Sequence, residues 1–405
     1  MLRLGWVLAV SGSVAGAQQA LSLKDAVERA LATHPLLAAS SQRLAVSSGL
    51  LRQASLRPNP RATLQTENWR RQGVPAFRPA DDTDTFAFLT QPLETAGKRR
   101  HRMELAEAGA RRTELERELL RKQIAARVRS AYWNAAGAQR IYELLLEDRA
   151  KFQQIVEYHE LRVREGAMAE ADLLKVRLEG ERLSVAANAA ALDAERARIQ
   201  LFREMGQTEF PEARLTEPLE LDAAAVTADV SAALENRTEM KLARQAREQA
   251  LAGVRLQQAL ARPDLELVLG YKRTAGFHTA LGGFQFALPF NNRNQGNIAA
   301  SEAEVRVADS ELAATAALVR AEVRAALTEV EMRRKQLTGL LRALMEHAAE
   351  SSRIALAAYQ EGGADLLRLL DAERVRIEAQ ALYYRTLSEY RQSVAALEAA
   401  MGIAP

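Results

Sequence analysis

Residues 264–290 read DLELVLGYKRTAGFHTALGGFQFALPF, and this stretch decides the fold. Its apolar side chains recur at every second position, in the set Leu265, Leu267, Leu269, Tyr271, Phe284, Phe286 and Leu288. A period of two predicts β-strands, here over 264–273 and 281–290, with these side chains on outward apolar faces. The polar residues between them are typical of an exposed loop at 273–280. The stretch therefore predicts one β-hairpin.

The same plan occurs about two hundred residues earlier in the chain. Residues 61–71 and 83–93 predict two strands around a polar loop at 72–82. An ordered series of short matches links the two regions, including Arg57-Pro58-Asn59-Pro60 with Arg262-Pro263-Asp264-Leu265, and Thr90-Gln91-Pro92-Leu93 with Ala287-Leu288-Pro289-Phe290. A series that keeps its order predicts two tandem copies of one structural unit.

Helices are predicted on both sides of each hairpin. Two shorter helices open each copy, at 22–34 and 36–56 and again at 225–235 and 239–261, and prolines end the second of each pair. After each hairpin a proline-free helix is predicted, over 97–164 and 296–360, with a length on the order of 100 Å at ~1.5 Å per residue. Glycines then predict a turn before returning helices at 168–205 and 365–402. The last helix carries a 4-3-4-3-4 apolar seam typical of coiled coils, formed by Tyr383, Leu387, Tyr390, Val394, Leu397 and Met401.

These patterns define the expected domain organisation. An export signal is predicted at 1–17, because Arg3 precedes a short apolar stretch and the small residues Ala15-Gly16-Ala17. The remaining ranges are a first repeat at 18–206, a linker at 207–224 and a second repeat at 225–405. The first repeat contains the β-hairpin 61–93 and the helical hairpin 97–205, and the second contains the β-hairpin 264–290 and the helical hairpin 296–402.

Composition excludes several classes of function. The chain has no cysteine, which excludes disulfides, thiolate metal sites and a lipid-anchored N-terminus. Lysine and arginine, 55 in all, nearly balance 52 aspartates and glutamates, so we expect no nucleic-acid partner. The five histidines lack the spacing of metal ligands, and no phosphate-binding loop or nucleophile elbow occurs. We therefore expect no enzyme, no cofactor and no resident metal.

Four short strands with an outward apolar face cannot close a sheet alone. In lipid, each unpaired N–H or C=O of an open edge costs several kcal/mol. No run of about 18 apolar residues follows the predicted signal, so a chain that spans a membrane must do so with strands. Several copies must then pool their strands, and three copies supply twelve. The alternative is a periplasmic coiled-coil scaffold or adhesin, against which the two hairpins argue.

The sequence resembles the TolC-type outer-membrane efflux family over nearly the whole mature chain. The likeness rests on the duplicated plan, on LKDAVERALATHP at 23–35, on Gln91-Pro92-Leu93 followed by Gly97-Lys98-Arg99, and on YQEGGADLLRLLDA at 359–372. The segment PFNNRNQGN at 289–297 is most similar to the branch that works with heavy-metal pumps of the cobalt–zinc–cadmium type.

The resemblance implies a mainly α fold with a small β part. Four long helices of each chain would form part of a trimeric α-barrel in the periplasm, and four strands would enter a 12-stranded transmembrane β-barrel in contact with outer-membrane lipid. It also implies a periplasmic adaptor and a proton-driven inner-membrane pump of the RND type as partners. The chain would be the passive exit duct of this tripartite system, for divalent heavy-metal cations. The alternative cargoes are organic solutes, drugs or secreted polypeptide.

The resemblance also implies site residues. Two acidic residues three apart ring the periplasmic aperture in the family, and these positions fall at Arg368 and Asp371, of which only the second is acidic here. Three Asp371 carboxylates would attract cations. We expect Arg368 to pair with Asp371 or with Asp365; otherwise all three are solvated helix charges. The adaptor-facing tips fall at the two helical turns, which are either docking surfaces or plain turns, at Glu165, Gly166, Ala167, Glu361, Gly362 and Gly363.

Overall fold

The structure, a computed structural model, describes residues 19–70, 72, 75–221 and 227–403, and the predicted signal lies outside these ranges. In chain order the described elements are β1 (Gln19–Leu21), α1 (Leu23–Thr33), α2 (Pro35–Ser55), β2 (Arg61–Glu67), α3 (Pro79–Asp82), β3 (Asp84–Leu93), α4 (Lys98–Arg164), α5 (Glu170–Glu204), β4 (Ala213–Leu215), α6 (Val230–Asn236), α7 (Thr238–Leu260), β5 (Leu265–Thr274), β6 (Phe277–Phe286), α8 (Gln295–Lys335), a π-helical segment (Gln336–Leu341), α9 (Arg342–Gln360) and α10 (Leu366–Ala400). Helices dominate, as predicted.

The chain divides into two compact units, and each draws on both halves of the sequence. The sheet unit comprises Ala39–Leu119 and Leu234–Leu318. The helical unit comprises the described parts of Met1–Ala38, Leu120–Ala233 and Val319–Pro405.

The sheet unit contains four antiparallel strands in the order β2-β3-β5-β6. Strand β3 of the first repeat pairs with β5 of the second, with Leu93 opposite Leu265 and Leu89 opposite Leu269. Strands β2 and β6 are therefore the two edges, each paired on one side only among the described strands. The tandem copies thus meet in the middle of one sheet.

One face of this sheet is apolar and the other is largely polar. Register places Leu267 opposite Phe284 and Leu265 opposite Phe286, so the alternating residues of β5 and β6 share a face, as predicted. On the opposite face Arg61 pairs with Glu266, and the Phe88 ring lies where a side chain at Gly270 would stand. Glycine at 270 is required by this close approach.

The second hairpin is tighter than predicted. Strands β5 and β6 are joined through Ala275 and Gly276 alone, which both have positive φ, +48° and +78°. Positive φ at both central positions is typical of a type I′ turn, which matches the twist of paired strands. The predicted loop at 273–280 was wrong, because its polar residues continue the strands. Strand β6 ends at Phe286, so Leu288 lies beyond it, contrary to the prediction of a strand to 290.

The helix ends repeat with a constant offset. Gly166 and Gly206 follow α4 and α5, and Gly362 and Gly402 occupy the same places after α9 and α10, all with φ between +72° and +76°. Each of the four donates its N–H to the carbonyl three residues earlier, over 2.9–3.1 Å. The next N–H in each case bonds the carbonyl five residues before it, which completes a Schellman motif. This recurrence confirms the two tandem structural repeats.

The helical unit contains a core in which β1 and β4 pair in parallel and pack with α1, α4 and α5. Tyr132, fully buried on α4, donates its hydroxyl hydrogen to the carbonyl of Leu21 over 2.9 Å. Burial raises the pKa of the Tyr132 hydroxyl. Strand β4 lies inside the range predicted as a linker, 207–224, and sequence reasoning missed it.

The second long helix is interrupted where the first is not. A π-helical segment at Gln336–Leu341 separates α8 from α9, whereas α4 is α-helical throughout. Leu337 and Leu341 are buried, and Leu340 between them is exposed. None of the helices in the described ranges combines the length and apolar character needed to cross a lipid bilayer.

Candidate functional site: the helical tips and the aperture segment

The two tips are turns of equal geometry. The residues Glu165, Gly166 and Ala167 are all exposed, and so are Glu361, Gly362 and Gly363. A Cβ at Gly166 or at Gly362 would meet no atom within 4 Å, so glycine is needed there for its positive φ and not for space. Gly363 has no positive φ and lies at a Schellman C″ position. The sequence therefore located both turns; their role toward an adaptor stays a prediction.

The helices that leave the tips begin differently. At the start of α10 the Asp365 carboxylate accepts the backbone N–H of Arg368 over 2.9 Å, which caps the helix. Ala169, at the same position before α5, has no side chain that can do this. Asp365 therefore acts on the helix end itself, and its carboxylate is partly committed to that bond.

The predicted ion pair of Arg368 is absent from the described chain. The Asp371 carboxylate instead lies 2.5 Å from the Arg374 guanidinium, one turn further along α10. No ion pair joins Arg368 to Asp365 or Asp371 in the ranges that the structure covers, and the Arg368 side chain is exposed. The reason is geometric, because Asp365 is turned toward the helix N-terminus and Arg374 is closer to Asp371. Asp371 nevertheless stays accessible, with 60% of its side chain exposed.

A buried histidine joins the two helical hairpins within about two turns of their tips. His159 of α4 is 1% exposed, and its Nε2 lies 2.7 Å from the hydroxyl oxygen of Tyr359 at the end of α9. Its Nδ1 lies 2.6 Å from the carbonyl of Ile155, and because a carbonyl only accepts, Nδ1 carries the proton. In the tautomer with its proton on Nδ1, the ring has an acceptor at Nε2 for the Tyr359 O–H. Burial raises the pKa of the Tyr359 hydroxyl.

Sequence reasoning missed this contact. The residues lie 200 positions apart, and nothing in the sequence around His159 indicates a buried partner. The rings stack with centroids 5.6 Å apart, which adds an apolar contact to the hydrogen bond.

An arginine on α10 forms a second connection to α4. The Arg376 guanidinium lies 2.9 Å from the Asp148 carboxylate and 3.0 Å from that of Glu373. Glu373 in turn accepts the hydroxyl hydrogen of Ser352 on α9. Asp148 is 2% exposed, so the Arg376 guanidinium is needed to compensate for the cost of burying this carboxylate. The network joins three helices within the helical unit and was not recognisable in the sequence, where these residues look like solvated helix charges.

A groove of about 1110 Å³ lies along α4, α5 and α10 in the same unit. Small residues line much of it, together with charged side chains of both signs, Arg127, Asp193, Arg196, Glu378, Arg385 and Glu389. Within the described residues there is no cluster of three metal-ligating side chains.

Each repeat of the chain thus combines a β-hairpin with a long helical hairpin, the plan expected of a channel-forming protein of the cell envelope. The chain belongs to the outer membrane efflux protein family, whose model matches residues 26–207 and 230–403. The two matched ranges correspond to the two repeats.

Comparison with individual proteins agrees with the family. The cobalt-zinc-cadmium resistance protein CzcC of Cupriavidus metallidurans is 24% identical over 388 residues, which cover 94% of this chain and 90% of CzcC. The solved structure of CusC superposes with a TM-score of 0.79 at 17% identity, over 94% of this chain and 92% of that one. A membrane protein of Pseudomonas aeruginosa gives a TM-score of 0.78 at 20% identity, over 94% and 90%. The fold is therefore that of these two solved membrane proteins.

Proposed function

We propose that the chain is the outer-membrane exit channel of a tripartite efflux system. Three copies pool their sheets into one closed twelve-stranded sheet in the outer membrane, and their helical hairpins extend into the periplasm. A periplasmic adaptor and an RND-type inner-membrane pump deliver the cargo, and this chain provides a passive path outward.

One observation carries the proposal, the sheet β2-β3-β5-β6 with an apolar face and two open edges. An open edge in lipid is costly, since its N–H and C=O groups have no water to bond. Identical chains remove both edges at once when β6 of one copy pairs with β2 of the next. The apolar side chains of this face then contact lipid: the half-buried Leu267 and the exposed Leu265, Leu269, Tyr271, Phe284 and Phe286.

Divalent heavy-metal cations are the proposed cargo. The name of CzcC associates that relative with cobalt, zinc and cadmium resistance. The exposed Asp371 carboxylate supports the same cargo, because a ring of three carboxylates at a constriction favours cations. The absence of a metal-ligating cluster among the described residues fits a duct, which must release what it carries.

A deletion strain provides the test. We expect loss of the gene to lower the tolerated concentration of cobalt, zinc or cadmium several-fold, with restoration by the intact gene. A panel of dyes, detergents and antibiotics is the matched comparison. Sensitivity to that panel with unchanged metal tolerance would make organic solutes the cargo. Purified protein that remains a single copy and conducts no ions in planar bilayers would refute the channel itself.

A further inference from the structure

The chain leaves and enters its sheet through four junctions. The entry junctions, residues 57–60 and 262–265, lead from α2 into β2 and from α7 into β5. The exit junctions, residues 93–98 and 290–295, lead from β3 into α4 and from β6 into α8. Each repeat has one entry and one exit junction. A contact between the first exit junction and the second entry junction therefore has a possible counterpart, between the second exit junction and the first entry junction.

Within the chain, the first exit junction forms hydrogen bonds and an ion pair with the second entry junction. The backbone N–H of Thr95 donates to the Asp264 carboxylate over 2.9 Å, and its hydroxyl donates to the Pro263 carbonyl over 2.5 Å. The Lys98 ammonium lies 2.7 Å from the same carboxylate. Lys98 is a buried residue, with 5% of its surface exposed. This set of contacts, which we call the clamp, fixes the point where β3 ends beside the start of β5. These two strands are the central strands of the sheet.

The counterpart residues make no such contact in the described chain. Lys98 and Gln295 each begin a long helix, so Thr95 corresponds to Asn292, and Pro263-Asp264 corresponds to Pro58-Asn59. Asn59, Asn292 and Gln295 are all exposed. Asn292 and Gln295 bond within their own junction: they accept the N–H groups of Asn294 and Arg293, and Gln295 also donates to the Asn291 carbonyl.

The chemistry of the two pairs is matched position by position. A lysine faces an aspartate in the clamp that is formed, whereas the open pair has an amide at both positions, Gln295 and Asn59. Two primary amides each offer a donor and an acceptor, so they bond to one another without a charge. A mixed arrangement, with Lys98 against a neutral residue or Asp264 against an amide, would leave a charge unpaired.

A second copy of the chain is the partner that closes the open pair. Strand β2 follows the first entry junction, and β6 precedes the second exit junction, at opposite edges of the sheet. A single chain therefore cannot join them. Pairing β6 with β2 of the next copy repeats the β3–β5 pairing and brings Asn292 and Gln295 beside Asn59.

The end of β6 supports this partner. Strand β3 continues to Leu93 at its exit junction, but β6 stops at Phe286, several residues short of the corresponding point. The residues between, 287–290, include Leu288 and Phe290, which are 62% and 74% exposed. A neighbouring β2 would supply the missing hydrogen bonds and would order this segment as strand.

We propose that Asn292 and Gln295 of one copy clamp Pro58 and Asn59 of the next, as Thr95 and Lys98 clamp Pro263 and Asp264 within each copy. The inference rests on the trimer of the proposed function and adds the residues that hold it together. Three identical clamps close the ring, since the contact is head-to-tail.

Disulfide trapping tests the clamp, because the chain has no cysteine of its own. The double variant Asn59→Cys with Asn292→Cys, oxidised mildly in outer-membrane vesicles, is expected to give a covalent trimer on denaturing gels. Either single variant is expected to stay monomeric there. Thr95→Cys with Asp264→Cys is the matched control, expected to form a bridge that leaves the mass unchanged.

Charge substitution gives an independent measurement. We expect Asn59→Asp with Gln295→Lys to keep the trimer and Asn59→Asp with Gln295→Glu to dissociate at a lower temperature. Equal dissociation temperatures, or no covalent trimer from the 59/292 pair while the control bridge forms, would overturn the clamp. Native mass spectrometry separates this failure from that of the channel. A trimer without the cross-link refutes the clamp alone, and a lone chain refutes both.

Discussion

The Arg376 guanidinium donates to the Asp148 carboxylate over 2.9 Å, and this bond joins the last long helix to the first. Only 1% of the Asp148 side chain is exposed, against 17% for Arg376. A carboxylate so deeply placed is costly to bury, and the arginine compensates for it. The proposed aperture residue Asp371 lies on the same helix, so this bond helps to fix where that helix sits against α4.

Removal of the Asp148 charge is expected to destabilise the helical unit. In Asp148→Asn the Arg376 guanidinium loses its pair with a buried carboxylate and keeps only Glu373, and breaking a buried pair costs about 3 kcal/mol. Thermal unfolding of the detergent-purified protein measures the effect. Asp172→Asn is the matched control, because Asp172 pairs with Lys175 on the exposed surface, where such a pair contributes about 1 kcal/mol or less. Equal stability of the two variants would contradict the role given to the buried pair.

Neighbouring residues of β5 are expected to respond oppositely to arginine. Leu267 lies on the apolar face and Val268 on the other. Leu267→Arg places a charge toward lipid, at a cost of about 2–4 kcal/mol near the bilayer midplane. We expect Leu267→Arg to reduce the protein recovered in outer membranes and Val268→Arg to have little effect. Immunoblots of washed membranes measure this, and a reversed result would mean that the faces have been assigned the wrong way round.

Neutralisation of Asp371 is expected to weaken cation preference. Asp371→Asn removes one exposed carboxylate from each copy and leaves Arg374 with only the Glu378 carboxylate, 4.0 Å away, so the local charge becomes more positive. The reversal potential in planar bilayers under a potassium chloride gradient should move toward anions. Asp172→Asn again serves as the control, since it also removes one exposed carboxylate but lies on α5, in the other helical hairpin. An unchanged reversal potential for Asp371→Asn would remove this residue from the aperture.

Acid is expected to destabilise the core through His34. Its pKa is lowered by burial and by the nearby Arg127, with Glu204 acting in the opposite sense, and its Nδ1 accepts the N–H of Leu36 over 3.1 Å. A lowered pKa means that the unfolded chain binds more protons, so stability is full above pH about 6.5 and falls as the pH drops below it.

The corresponding variant is His34→Gln, which keeps an acceptor but cannot titrate. Its unfolding temperature is expected to be flatter than that of the parent chain between pH 7 and pH 5. Parallel curves for the two proteins would show that another group causes the acid sensitivity.

The long elements were predictable because their patterns are long. The α4 boundary was predicted within one residue, since dozens of positions repeat one period without proline. Both tips followed from glycine, because few other residues adopt positive φ. Family membership followed from the order of many short motifs.

Short or paired features were not predictable. The type I′ turn was obscured because Arg273, Thr274 and His278 are polar yet belong to strands at the sheet margin. Strand β4 has three residues, too few to show a period. The contacts of His159 and Asp148 join positions about 200 residues apart, and nothing local indicates such a partner.

The π-helical segment at Gln336–Leu341 has a consequence for recognition. An extra residue within a helix rotates everything beyond it by roughly 100°. The stretch leading to Gly362 is therefore out of phase with the uninterrupted stretch leading to Gly166. A protein that touches both ends meets two unlike surfaces, so the trimer proposed above would present three pairs of distinct contact surfaces and not six copies of one.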